Sequence, residues 1–496
     1  MHLGKVVITG ELEVLAPLHV GRGARLTDTE IKTQVSAHAG EASESIQFSA
    51  IQRDHEGMPY IPATSLKGSL RAVFDGGERL RDLFGEISDS GKETGARTGV
   101  MGRLWFDGAS CIAALGGKNL EALPYGGRGG LKGTFVKPRT RIDRRTGTAD
   151  RHRLFHAEMV PARTRFAFSA IWLTDMDAGG IADELQSVVA ALAPLVAEEG
   201  HALGRGTQKG DGRVRMLAET LSLTYSSVLV DGGLDQAELT REFVRQLTGT
   251  AAAKPRKLVR LRLACDGPFI SIDSSRRTRG GRDGGQNNLI APLRDADGRP
   301  LLWASSVLGA LRERCAWIAE CDRLAKQASG GGDAVSAFAP ARDAGAPIDD
   351  RDLGAVFPAA RAVRKPEDLA ALSSVERLFG VTGWKARVAV AAMRCVQSGG
   401  SKKLTNVSID RFTGGARDSA RGGALFDTEV WFDPVFEVDL ELDESRGGIA
   451  AADLDLFDRL IEEVTAEGLF LGHGSAKGYG WFDVGASRDI SKGDGA

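Results

Sequence analysis

The residues best placed for chemistry are the glycines and lysines of two matching stretches, LGRGTQKGDGRVRM at 203–216 and LGHGSAKGYGWFDV at 471–484. Gly204, Gly206, Gly210 and Gly212 fall at the same offsets as Gly472, Gly474, Gly478 and Gly480, with Lys209 and Lys477 between the second and third glycine of each set. Glycine accepts positive φ and carries no Cβ, so such a run curls against a ligand and turns several N–H groups toward one anion. The lysine adds charge. Neither stretch is a nucleotide P-loop, because GxxxxGK[ST] needs Ser or Thr after the lysine and both lysines here precede glycine. A phosphate chain is the expected ligand.

Other cations fit the same partner. The chain of 496 residues has a net charge of -2, so no global field draws it to nucleic acid and any basic footprint is local. Between Arg128 and Arg153 there are nine basic residues, among them Arg141, Arg144 and Arg145, against only Asp143 and Asp150. They lie in a Gly-rich segment expected to project from the fold as a hairpin. In PYIPATSLKGSLR at 59–71, Thr64 or Ser65 is expected to cap a helix that carries Lys67 and Arg71 one turn apart. His19 sits where the first strand, VVITGELEV, leaves for a loop.

The elements that hold these residues occur twice. PYIPATSLKGSLR is answered by PLLWASSVLGALR at 300–312, LFG at 83–85 by LFG at 378–380, and IDRRTGTA at 142–149 by IDRFTGGA at 409–416. From Asp143 to Asp410 is 267 positions and from Leu203 to Leu471 is 268, so the later parts of the copies keep register. A tandem duplication follows. The expected division is a first domain over 1–230, a linker over 231–257 and a second domain over 258–485. A flexible insertion near 327–350 and a disordered tail over 486–496 complete it. Phe166, Phe168, Trp172, Trp431 and Phe432 alternate with apolar neighbours in strands, which predicts core positions.

LHVG after the first strand, IPATSLKGSLR on the first helix, RxTGxA before an E-x-V-P strand, and the closing LGxGxxKGxG loop resemble the RAMP superfamily. The chain is most similar to a tandem fusion of two backbone subunits of type III CRISPR effector complexes. The resemblance implies an α+β fold: two ferredoxin-like (RNA-recognition-motif-like) domains, each with a β-hairpin thumb that wedges into a guide–target duplex. It implies CRISPR guide RNA, target RNA and other type III effector subunits as partners, in antiviral defence. Carried over by position, the RNA contacts are His19, Lys67, Arg71, the thumb with Arg141, Arg144 and Arg145, and the loop with Gly204, Arg205, Gly206, Lys209, Gly210, Gly212 and Arg213. In the second copy they are Arg312, Arg411 in the thumb, and Gly472, His473, Gly474, Lys477, Gly478 and Gly480. Lys67 is answered by Leu308, so the second helix is expected to hold RNA less firmly.

Two other activities occur on related chains: metal-dependent cutting of target RNA, and processing of CRISPR RNA by a nuclease acting alone. In cleaving relatives an aspartate precedes the IQRD-like strand. Alignment on AIQRD puts Phe48 at its place and alignment on APLRD puts Leu289 there, so a scaffold is expected. Asp283, then Asp28, are the carboxylates that a shift in register would bring in, with Glu44 and Asp273 as further candidates. Mg²⁺ or Mn²⁺ would be needed only for such cleavage. No structural metal or cofactor is expected, since five scattered cysteines form no CxxC pair and the eight histidines no ligand cluster. No window approaches about 18 uncharged apolar residues, and MHLGKVVITG lacks a signal-peptide core. Cytoplasmic location and no membrane contact are expected.

Overall fold

The computed structural model describes residues 4–26, 48–74, 77–88, 98–113, 133–142, 149–175, 181–227, 235–252, 258–278, 288–295, 297–329, 363–416, 425–444 and 448–488. Alternation of buried and exposed side chains along Gly4–Val14 makes it a central strand. It pairs antiparallel with Arg165–Thr174 on one side and with Arg213–Met216 and Ser222–Ser227 on the other. Arg165–Thr174 pairs in turn with Leu104–Phe106 and Ala109–Ala113. The apolar stripes of helices Ala63–Val73 and Ile181–Val196 close over the sheet, so Leu66, Leu70, Val188 and Leu192 share one core with Ile8, Phe166, Phe168 and Trp172.

The second unit repeats this plan. Its sheet runs Val388–Gln397, Val435–Leu442, Leu258–Cys265, Trp481–Arg488, all antiparallel. Helices Ala304–Ser329 and Ala451–Glu467 supply Val307, Leu311, Leu460 and Val464 to its core. In both units the first strand lies between the last and the third, which is the ferredoxin-like βαββαβ arrangement. Trp431 is buried as expected, whereas Phe432 is half-buried with Lys402 Nζ 5.3 Å from its ring centroid.

Each unit also carries a hairpin on a short second sheet. Phe135–Ile142 pairs with Ala149–Met159, and Ser401–Val407 with Leu425–Phe432. A short strand runs parallel to each hairpin: Phe48–Ile51 beside the first, Asn288–Pro292 beside the second. One polar anchor recurs at both places. Arg53 pairs with Glu158, whose carboxylate also accepts Thr134 Oγ1 at 2.7 Å and the Ile51 N–H at 3.0 Å. In the second unit Arg294 pairs with Glu429 at 2.7 Å, and Ser401 Oγ donates to the same carboxylate at 2.9 Å. Glu158 is wholly buried, and a buried carboxylate persists only when its lone pairs are satisfied in this way.

Several expectations need correction. Segment 231–257 is not a bare linker. Gln236–Ala252 is a helix whose Phe243 and Leu247 are fully buried in the first core, because its apolar residues recur at helical spacing. Helix Ala304–Ser329 runs into the start of the expected insertion, the rest of which lies outside the described residues. Strand Trp481–Arg488 takes in the first three residues of the expected tail by pairing with Leu258–Cys265, and 489–496 lie outside the described residues. Neither Thr64 nor Ser65 caps its helix. Pro62 is the N-cap, and its carbonyl accepts Ser65 N at 2.9 Å.

The units touch along one junction. Phe135, Ala157 and Met159 at the base of the first hairpin pack on Leu301 and Trp303, and Arg163 donates to both carboxylate oxygens of Asp297 at 2.8 Å.

Candidate nucleic-acid interface

The two glycine loops fold alike. Gly206 and Gly210 (φ 85° and 71°) flank the 3₁₀ turn Thr207–Lys209, and Gly474 and Gly478 (φ 91° and 77°) flank Ser475–Lys477. A Cβ on Gly212 would lie 2.0 Å from Leu203 O, and one on Gly480 2.0 Å from Leu471 O, so these positions admit only glycine. The N–H groups of Lys209 and Lys477 each donate at 2.8 Å to the carbonyl of the glycine three residues back, and those of Gly212 and Gly480 to Pro17 O and Pro268 O. Several N–H groups expected to face an anion are thus bonded within the fold. The glycines chiefly shape a platform, and its charge comes from side chains.

His19 belongs to that platform. Its backbone carbonyl accepts Arg205 N at 2.9 Å, as Ile270 O accepts His473 N at 2.8 Å in the second unit. Its ring is buried and Nδ1 donates to Glu158 O at 2.7 Å. Burial holds its pKa below the ordinary value, outweighing that hydrogen bond. A neutral His19 thus has Nε2 as an acceptor, which suits loop anchoring better than phosphate contact. Isoleucine fills the matching position because the anchor is the backbone.

The first loop is pressed against the second unit. Gln208 Nε2 reaches Ala386 O at 3.4 Å, and buried Arg213 reaches Val390 O and Glu441 Oε2, each at 3.4 Å. Asp211, 3% exposed, accepts Lys137 Nζ at 2.9 Å and also Arg139. Lys137 Nζ lies 3.7 Å from the centroid of the Trp303 ring, and burial brings its pKa down to about 8. Arg205 and Lys209 stay on the solvent side of the loop. The Lys209 pKa is lowered first by desolvation, then by the Arg139 cation, with smaller pushes from Arg205 and Arg312. Arg139, Arg205, Lys209 and Arg312 therefore share one field at the junction, with Asp211 as the acid that Lys209 feels there. A polyanion is the natural complement of such a field.

Sequence reading placed Arg205, Lys209 and Arg312 in the site without showing that the first loop packs against the helix of Arg312. Arg139 was visible only as one of nine clustered cations. Lys67 is half-buried and Arg71 exposed on the Ala63–Val73 helix. Arg141 lies on the Phe135–Ile142 strand, and Arg144 and Arg145 lie outside the described residues. In the second unit His473 and Lys477 are exposed, and Lys477 Nζ stands 5.2 Å from the Phe426 ring centroid. The tip of the second hairpin is described as far as Ala416. Ile409 bridges Ala416, the Asp410 carboxylate accepts Phe412 N and Thr413 N at 2.9 and 3.0 Å, and Arg411 lies 4.7 Å from the Phe412 ring. Phe412 is 82% exposed. Sequence reading passed over it, although IDRFTG against IDRRTG sets an aromatic opposite Arg145.

Phe48 and Leu289 both lie in the parallel-paired strands, opposite His156 and Asp427. Asp28, Glu44 and Asp283 lie outside the described residues, and Asp273 is buried on Ile272–Thr278. Among the described residues no group of three or more His, Cys, Asp or Glu could hold a metal ion. No described helix is long and apolar enough to cross a membrane.

Comparison with known proteins adds one finding. A family model described as the RAMP superfamily matches residues 11–215 and again 247–483. No curated protein matches the chain.

Proposed function

The chain belongs to the RAMP superfamily, and from that premise we propose that it is a CRISPR RNA-binding backbone subunit of a type III effector complex, holding guide RNA for pairing with target RNA. The observation that carries this reading is the first glycine loop itself, which holds Arg205 and Lys209 exposed beside the Arg139–Asp211 pair where it meets the second unit. Cations on a groove bind a single strand through its phosphates and leave its bases free to pair. His473 and Lys477 supply a second such platform, and Lys67 and Arg71 add cations on the leading helix of the first unit.

The hairpins are the thumbs in this reading. An exposed Phe412 at the tip of the second offers a flat apolar face for an unstacked base, and Arg144, Arg145 and Arg411 offer charge to flanking phosphates. Aligned on AIQRD and APLRD, Phe48 and Leu289 stand at the places of the aspartates of cleaving relatives, and on that alignment the chain acts as scaffold. Neither side chain can bind a divalent metal or move a proton.

Purification after expression beside a CRISPR array tests the reading. A backbone subunit copurifies with RNA of defined length and with other effector subunits. Recovery of an RNA-free protein that cuts a CRISPR RNA hairpin by itself would replace it with the processing nuclease.

A further inference from the structure

The junction inside this chain joins two different faces. A trailing face of the first unit, made of its hairpin base, Arg163 and the glycine loop, meets a leading face of the second, made of Asp297, Trp303 and Ala304. Such a head-to-tail contact does not close on itself. It leaves a trailing face on the second unit and a leading face on the first.

The duplication maps one junction onto the other. A Cβ on Gly210 would sit 2.9 Å from Ala304 Cβ and 3.3 Å from Val390 Cγ1, whereas among the described residues nothing lies within 4 Å of the matching position on Gly478. No described residue thus covers the docking side of the second loop. The turn Asp295–Arg299 corresponds to Asp54–Met58: in each the leading aspartate accepts two backbone N–H groups, and Asp54 N bonds Met58 O as Asp295 N bonds Arg299 O. Glu56 therefore stands where Asp297 stands, and it is exposed. On the trailing side Arg163 has φ 66° and Asp433, at the same turn of the second unit, has φ 50°. Asp433 is exposed, and one of its oxygens accepts Gly267 N at 3.0 Å.

The cation of the internal junction is thus an anion on the open face. Two copies stacked in the geometry of the internal junction would set Asp433 against Glu56, acid against acid. Like charges juxtaposed across an interface exclude a partner as effectively as opposite charges recruit one.

We propose that Asp433 and the 472–480 loop form a docking face for a RAMP-fold unit of a different chain, one with Lys or Arg where this chain has Asp297. Acid repulsion keeps copies of this chain from stacking on one another. The inference rests on the internal junction and the duplication, and it holds whether or not the chain grips RNA.

Sedimentation velocity of the RNA-free full-length protein at low salt tests it, with three variants beside the wild type. Asp433→Arg and Glu56→Arg each turn the self-contact attractive, and the double variant turns it repulsive again with arginine on both sides. Each single variant is expected to self-associate at least about tenfold more tightly than the wild type, the scale of close charge pairs across interfaces. High salt removes the gain, and the double variant behaves as the wild type does. Glu56→Arg carries the test alone if loss of the Gly267 bond unfolds Asp433→Arg. Wild-type protein that associates as tightly as the single variants would overturn the proposal. So would a Glu56→Arg protein that gains nothing. RNA binding, read separately on the same proteins, is expected to be unchanged.

Discussion

Lys137 of the first unit stands 3.7 Å from the centroid of the Trp303 indole of the second. The ammonium is held there by Asp211 at 2.9 Å, inside a junction that leaves it 3% exposed. A charge so placed couples the seating of the first glycine loop to proton uptake.

Burial lowers the Lys137 pKa from 10.5 to about 8. Above pH 8 the folded chain releases a proton that the unfolded chain keeps up to pH 10.5, so this group's contribution to stability rises with pH across that window. Its penalty is fully present below pH 8. Urea midpoints of the wild type and of Lys137→Met at pH 7.5 and 9.5 check this. The wild type is expected to gain about 1–2 kcal/mol on the variant between the two pH values. A constant difference would show that Lys137 keeps its proton throughout.

The duplication was legible because glycine positions that admit no Cβ cannot drift: Gly212 and Gly480 each face a carbonyl at 2.0 Å, and their spacing survives in both copies. The junction was not legible. Lys137, Asp211 and Trp303 are far apart in sequence, and nothing in their local pattern says that they meet. The Arg53–Glu158 and Arg294–Glu429 anchors escaped for the same reason, being single residues joined across 105 and 135 positions. Gln236–Ala252 was misread because a Gly/Ala-rich end, LTGTAAAKPRK, masked the periodicity of Phe243 and Leu247. The thumb of the first copy was legible as a basic hairpin, but the residues of its tip lie outside those described.

Phe412 is expected to unstack a target base. In a guide–target duplex bound by the assembled complex, base-selective chemical probing should report two evenly spaced distortions, one for each thumb. Phe412→Ala is expected to erase one of them and leave the other, with a loss of about 1–3 kcal/mol in duplex binding if stacking is the contact. Two unchanged distortions would show that the ring is a bystander.

Cleavage turns on residues 27–47 and 279–287, which precede the strands of Phe48 and Leu289. Incubated with matched target RNA and Mg²⁺ or Mn²⁺, the complex is expected to leave the target bound and intact. Evenly spaced cuts that vanish in Asp283→Ala, or in Asp28→Ala, would make the chain a metal-dependent endoribonuclease subunit.

The most direct measurement of the central claim is the salt dependence of RNA binding by the purified full-length chain. Grip through phosphates predicts that log K falls against log salt with a slope of roughly 0.7 per neutralised phosphate, alike for unrelated single strands. Replacing Arg205 and Lys209 with alanine is expected to lower that slope by about 1 to 2 and to weaken every RNA by a similar factor. Lys477→Ala gives an independent check on the second platform. A slope near zero, or a loss confined to one RNA sequence, would contradict the account.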